Sequence, residues 1–234
     1  MTNIKKRDES AIISADIMGM FDVSKNLEGT QPRIPSIKAI HQGQLFEMPS
    51  GEKTEEFECI IIHSNRINAY WENAFSGDGQ LPDCHSFNGI KPVENLIAET
   101  CAACPNNKYG SDGGRGKLCK NMRRIHVMIE NDFLPYRITI PPSSLKKWDE
   151  YMVNLSVSNT PYQLAITEIS LSKQKNKDGI EFSEFNFKKI YVINDMEKAM
   201  EIKNAIEKME KQFESESIVS DEFTNEEHSG PDPF

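Results

Sequence analysis

The chain has 234 residues, 38% of them hydrophobic and 27% charged, with a formal net charge of -9. That length allows one domain with appendages or two small ones, and the apolar share suffices for an ordinary core, which excludes wholesale disorder. No run nears the ~18 apolar residues of a membrane span, and the opening MTNIKKRDES has no apolar stretch behind its basic residues, so neither a membrane anchor nor a signal peptide is expected and the protein reads as cytosolic.

Residues 1–30 form a weakly patterned N-terminal arm. Pro32 and Pro35 bar a helix there, and Ile34, Ile37, Ala39 and Ile40 suit the start of a strand. Phe57 to His63 is rich in β-branched and aromatic residues and predicts a buried strand. Ser64-Asn65 then reads as a turn, with Ile67 to Trp71 as the returning strand. From about 76 to 121 the pattern lapses into glycines and prolines, a length of irregular chain that needs something beyond a core to order it. Strands resume at Ile125–Ile129 and Tyr136–Ile140, joined by a hairpin turn near Asn131-Asp132. Pro141-Pro142-Ser143-Ser144 predicts a stop and a helix N-cap. Leu145, Trp148, Met152 and Leu155 recur at helical spacing, so 144–157 is an amphipathic helix that ends at Asn159-Thr160-Pro161. Gln163–Ser172 and Phe182–Val192 are the last two strands, joined by a turn at Asn176 to Gly179. Asn194 or Asp195 caps a second helix running to about Phe213.

Short hairpin-joined strands with one helix between the third and fourth predict a mainly β protein: a five-stranded OB-type Greek-key barrel. Its core would span 31–194, with a loop insertion at 76–121, a C-terminal helix over 195–213 and a disordered acidic tail over 214–234.

Four of the five cysteines fall in the insertion. Cys84, Cys101, Cys104 and Cys119 read as C-x16-C-x2-C-x14-C. A C-x2-C pair brings two thiolates to one ion from a tight turn, and two more cysteines complete a tetrahedral shell of soft donors. Four thiolates leave no open position for water, so the expectation is structural Zn(2+), which would also order the loop. His85 is the alternative fourth ligand, and four free thiols in a flexible loop is the competing reading. Cys59, inside an apolar strand, reads as core.

The charge is unevenly placed. Residues 212–234 carry seven acids and no Lys or Arg, which leaves -2 on residues 1–211. Between Lys108 and Trp148 nine bases face three acids. Cations and aromatics alternate there: Lys108, Tyr109, Arg115, Lys117, Lys120, Arg123 and Arg124, with Phe87 and Tyr70 nearby. Single strands are held by a cationic groove for phosphates and aromatic faces for bases, so these nine residues are the candidate nucleic-acid contacts. The competing readings are a solvated strand edge for Arg123 and Arg124, and packing against the cysteine cluster for Tyr109. Trp71 and Trp148 read as core. No paired-carboxylate set, serine elbow or open metal site appears, so the chain does not read as an enzyme.

The tail is acidic and apolar-poor, yet it ends in Asp232, Pro233 and Phe234 with a free carboxylate, a form suited to docking on a partner. It resembles the acidic tips of bacterial single-stranded DNA-binding proteins, with Asp where those carry an apolar residue before the final Pro-Phe. The middle resembles bacteriophage proteins with a cysteine-rich insertion in an OB-like fold. The matching stretches are DCHSFNG (83–89), CAACPNNKYGSDGGRGKLCKNMRR (101–124), LPYRITIPPSSLKKWDEYMVNL (134–155) and PYQLAITEISLSKQKNKDGIEFSEFNF (161–187). The resemblance implies the four cysteines as zinc ligands and a phage replication or recombination role in the host bacterial cytoplasm. The chain would coat single-stranded DNA, alone or as a homo-oligomer, and recruit replication or recombination proteins through Asp232–Phe234. A zinc-stabilised adaptor acting on a phage or host enzyme is the second expectation.

Overall fold

In the computed structural model, the description covers residues 25–26, 28–29, 33–40, 43–73, 81–94, 97–114, 116–130, 132, 134–175, 179 and 181–215. Met1–Arg33 forms one unit and Ile34–Phe234 another. The strands and both α-helices of the described residues belong to the second unit.

The chain is mainly β, with two sheets. Strands β1 (Lys38–Ile40), β2 (Leu45–Glu47) and β3 (Lys53–Thr54) make a small antiparallel sheet. The larger sheet is organised by β4 (Glu56–Tyr70), a single strand of 15 residues. The other strands are β5 (Cys84–Ser86), β6 (Lys120–Met128), β7 (Tyr136–Ile140), β8 (Ala165–Lys175) and β9 (Glu181–Val192). Their order is β7-β6-β4-β8-β9, with β5 paired to β4.

The expected turn at Ser64-Asn65 and returning strand do not form, because β4 runs straight through them. Strand β6 pairs with it from Ile60 to Ala69, which gives the backbone of Ser64 and Asn65 ladder partners. A bulge between Ile61 and His63 bends the strand there instead. One edge of β4 holds β6. The other holds β8 at Glu56–Ile60 and β5 at Asn68–Tyr70.

The closed five-stranded barrel is not formed among the described residues. The outer edge of β7 is occupied by the segment before β1: Arg137 N–H donates to Pro35 O at 2.8 Å and Ile37 N–H to Arg137 O at 2.9 Å. On β9, the Phe185 N–H donates at 2.9 Å to the hydroxyl of Ser144, just past the end of β7. A lead-in segment and a helix-entry turn thus stand where a β7–β9 ladder would close the barrel.

Helix α1 (Leu145–Val157) buries Trp148, Tyr151 and Leu155. Ser144 sits at its N-cap but makes no side-chain cap bond, because its oxygen serves Phe185. Thr160 N–H to Leu155 O at 2.9 Å and a left-handed Asn159 (φ 51°) end the helix. The main core lies between this helix and the sheet, and includes Phe46, Cys59, Ile61, Ile125, Ile138, Ile169 and Phe185. Within it Tyr151 Oη and Thr167 Oγ1 are 2.7 Å apart.

Helix α2 (Met196–Ser215) is capped by Asp195, whose Oδ1 accepts the Lys198 N–H at 2.8 Å. It packs Ile202 and Phe213 against Ile34, Ile60, Ile62, Ile166 and Ile193. No helix among the described residues is long and apolar enough to cross a membrane.

Candidate metal centre and basic face

The end of β4 sits between β5 and β6. Tyr70 pairs with Cys84 on β5, while Ala69 pairs with Lys120 on β6, directly after Cys119. The sheet therefore delivers Cys84 and Cys119 to the two sides of Tyr70. Cys101 and Cys104 arrive from the irregular loop. The Cys101 N–H donates to Ile90 O at 2.8 Å, and the Asn107 side chain donates to Cys101 O at 2.8 Å. A 3-10 turn over Pro105–Asn107 follows Cys104, and the Cys119 N–H donates to Asn106 O at 2.8 Å. All four cysteines, with Asn68 and Tyr70, line one cavity.

Burial, then the charges of Cys104 and Cys101, raise the Cys84 pKa. Cys119 is pushed up to about 12 by burial and by the same two groups and Cys84, with Lys117 opposing. His85 lines the same cavity. Among the described residues no three His, Cys, Asp or Glu side chains stand in a metal-holding arrangement. The four cysteines nevertheless share one cavity. Asn68 lines the cavity, and its buried Nδ2 has no hydrogen-bond partner among the described residues. That buried N–H suits a thiolate acceptor. Four cysteine thiols are the donor type that Zn(2+) takes.

Behind the cavity runs a polar chain. Lys117 Nζ lies 3.4 Å from both Asn107 Oδ1 and Asn121 Oδ1, and Asn121 Nδ2 donates to Asn68 Oδ1 at 3.2 Å. Lys117 thus braces the cysteine loop.

The other expected nucleic-acid contacts divide. Lys108 and Tyr109 are exposed on the loop, Tyr109 by 64%. Lys120 is half-buried at the start of β6, and Tyr70 faces the thiol cavity. Arg124 is fully buried, which removes it from any phosphate-binding set: β6 is an interior strand, not an edge. Phe87 is half-buried and packs against the cluster of Ile67, Ala69, Trp71 and Met122. Arg123 is half-buried, with its guanidinium 5.7 Å from the Trp148 ring centroid. Arg115 and Asp232–Phe234 lie outside the described residues, as do the 176–178 turn and the tail from 216.

Arg66 is not among the residues the sequence pattern singles out. In a continuous strand Arg66, Asn68 and Tyr70 alternate onto one face. Arg66 is exposed and lies directly opposite Arg123. His63 and His126 stand with ring centroids 5.5 Å apart, and both stack on Phe213 of α2. Cys59 is buried, and burial raises its thiol pKa.

No family model, curated protein or solved structure matches the chain.

Proposed function

We propose that the chain is a phage-type single-stranded DNA-binding protein whose basic loop is shaped by structural Zn(2+) on Cys84, Cys101, Cys104 and Cys119. The metal would supply a tetrahedral knot at the base of the loop. The observation that carries the reading is Lys108 and Tyr109, a cation and a widely exposed ring side by side on the loop that the cysteines tie down. Such a pair offers a phosphate contact and a stacking face. Strand order supports it: β4-β6-β7, helix, β8-β9, with β4 shared by β6 and β8, is an OB-like order left open at the β7–β9 seam. Replication or recombination partners would dock on Asp232–Phe234, and no catalytic role is proposed.

The test is fluorescence anisotropy of the zinc-loaded chain with labelled oligo-dT and a matched duplex across salt concentration. Preferential binding to the single strand, weakening as salt rises, supports the reading. Absence of binding, or equal binding to duplex, overturns it.

A second reading, the protein-interaction adaptor, draws on a different observation. Leu81, Ile90 and Val93 of the insertion are 60%, 63% and 51% exposed. Exposed apolar side chains on one irregular loop suit a protein partner. If single strands do not bind, cross-linking from this loop is the next experiment.

A further inference from the structure

Arg66 on β4 and Arg123 on β6 are directly opposed across the ladder. Like charges in that position repel and destabilise the sheet. Among the described residues neither forms an ion pair with a carboxylate. The Arg123 Nη1 donates weakly to Ser64 Oγ at 3.4 Å, but its Nε is buried with no hydrogen-bond partner among the described residues. Burial, then the Arg66 charge, depresses the Arg123 pKa, with Asp149 and Tyr162 opposing.

The pair is held in place from both sides. Trp148 lies under the Arg123 guanidinium. Beside Arg66 runs the turn 87–91 of the cysteine insertion. Asn65 Nδ2 donates to Phe87 O at 2.8 Å, and Asn88 Oδ1 accepts the N–H groups of Ile90 and Lys91. Gly89 has φ +67°, and a Cβ there would stand 3.0 Å from Arg66 Cβ, so glycine lets the turn close on the arginine. The same face runs on through Asn68 and Asn121 to Tyr70 and the thiol cavity.

Two guanidiniums opposed across the ladder, neither in an ion pair with a carboxylate among the described residues and one keeping an unused donor, form a receptor for an anion with several acceptor oxygens. We propose that Arg66 and Arg123 form a clamp for one phosphodiester of the bound strand, continuing the path from Tyr70. The clamp rests on the single-strand reading and extends it to named residues on the sheet.

The experiment uses the zinc-loaded full chain and its Arg66→Gln variant. In oligo-dT titrations the variant should lower the slope of log affinity against log salt by about 0.7, the share of one phosphate on a single strand. Its thermal midpoint should rise, because a repulsion is removed; a merely structural arginine would lower it. Lys203→Gln, on the exposed face of α2 beside Glu207, should leave the slope unchanged. An unchanged slope for Arg66→Gln in a chain that binds single strands overturns the clamp and leaves the reading intact. If the chain binds no single strand, pyrophosphate is titrated while the arginine Nε–H resonances are followed. Saturable shifts at Arg66 and Arg123, lost in Arg66→Gln, keep the clamp as an anion site and discard the nucleic-acid reading. No shift overturns both.

Discussion

The central sheet and the cysteine insertion obey opposite rules. The sheet places isoleucines and Phe185 inside, with Phe46 of the small sheet and a helix that adds Trp148 and Leu155. Between Trp71 and Met122, Cys101, Cys104 and Cys119 are buried, along with Pro82, while Phe87 packs half-buried against the sheet. Leu81, Ile90, Val93, Ile97 and Leu118 of the same stretch are exposed. The insertion has its thiols inside and its aliphatics outside. Hydrophobic burial therefore holds the sheet far more than the insertion. Backbone bonds, such as Gly110 N–H to Gly116 O at 2.7 Å, and side-chain bonds to Asn106 and Asp112 give the loop its path. A metal on the four thiols would supply the missing energy.

The largest effect should come from breaking the knot. Cys104→Ser should abolish stoichiometric zinc binding, because structural Zn(2+) sites are worth about 10–16 kcal/mol in small domains. Metal analysis and oligo-dT affinity should fall together. A zinc-free variant with an ordered loop would contradict this. The pH dependence has a fixed sign. Zinc takes thiolates, and Cys119 without metal is pushed up to about 12, so zinc uptake must release protons. Affinity in chelator competition should rise with pH. In the metal-free chain the neutral Cys119 thiol contributes stability that is present below its ordinary value of 9.0 and lost as pH climbs toward about 12. Denaturant midpoints above pH 9 should show that loss without zinc and not with it.

Cuts in the sheet should be smaller but global. Ile125 is fully buried on β6, so Ile125→Ala should cost about 2–5 kcal/mol in denaturant unfolding, zinc-loaded or not. Ser144→Ala would leave the buried Phe185 N–H without its acceptor, a loss of about 1–3 kcal/mol. It would also weaken the bridge between β7 and β9. Asp195→Ala removes the cap of α2 and should cost about 1 kcal/mol, seen first as faster amide exchange at the start of that helix.

What could be read from sequence follows the same division. Period-2 and helical patterns placed β7 to β9 and α1 within a few residues and the second half of β6, because burial enforces them. Spacing alone brought the four cysteines forward, and they do share a cavity. Tertiary pairing was not legible. Ser64-Asn65 has turn chemistry, but nine ladder pairs with β6 override it. Charge density alone singles out both Arg123 and Arg124, but alternation on β6 turns them to opposite faces and buries Arg124. Barrel closure failed for a similar reason. No local pattern announces that Pro35–Ile37 will take the edge of β7.

Amide hydrogen exchange on the full chain, with zinc and after a chelator, tests the contrast between the two regions most directly. Metal removal should strip protection from residues 84–119 while β4, β6 and β8 keep theirs. Full protection of the insertion without metal would contradict the account, and so would loss of the sheet together with the loop.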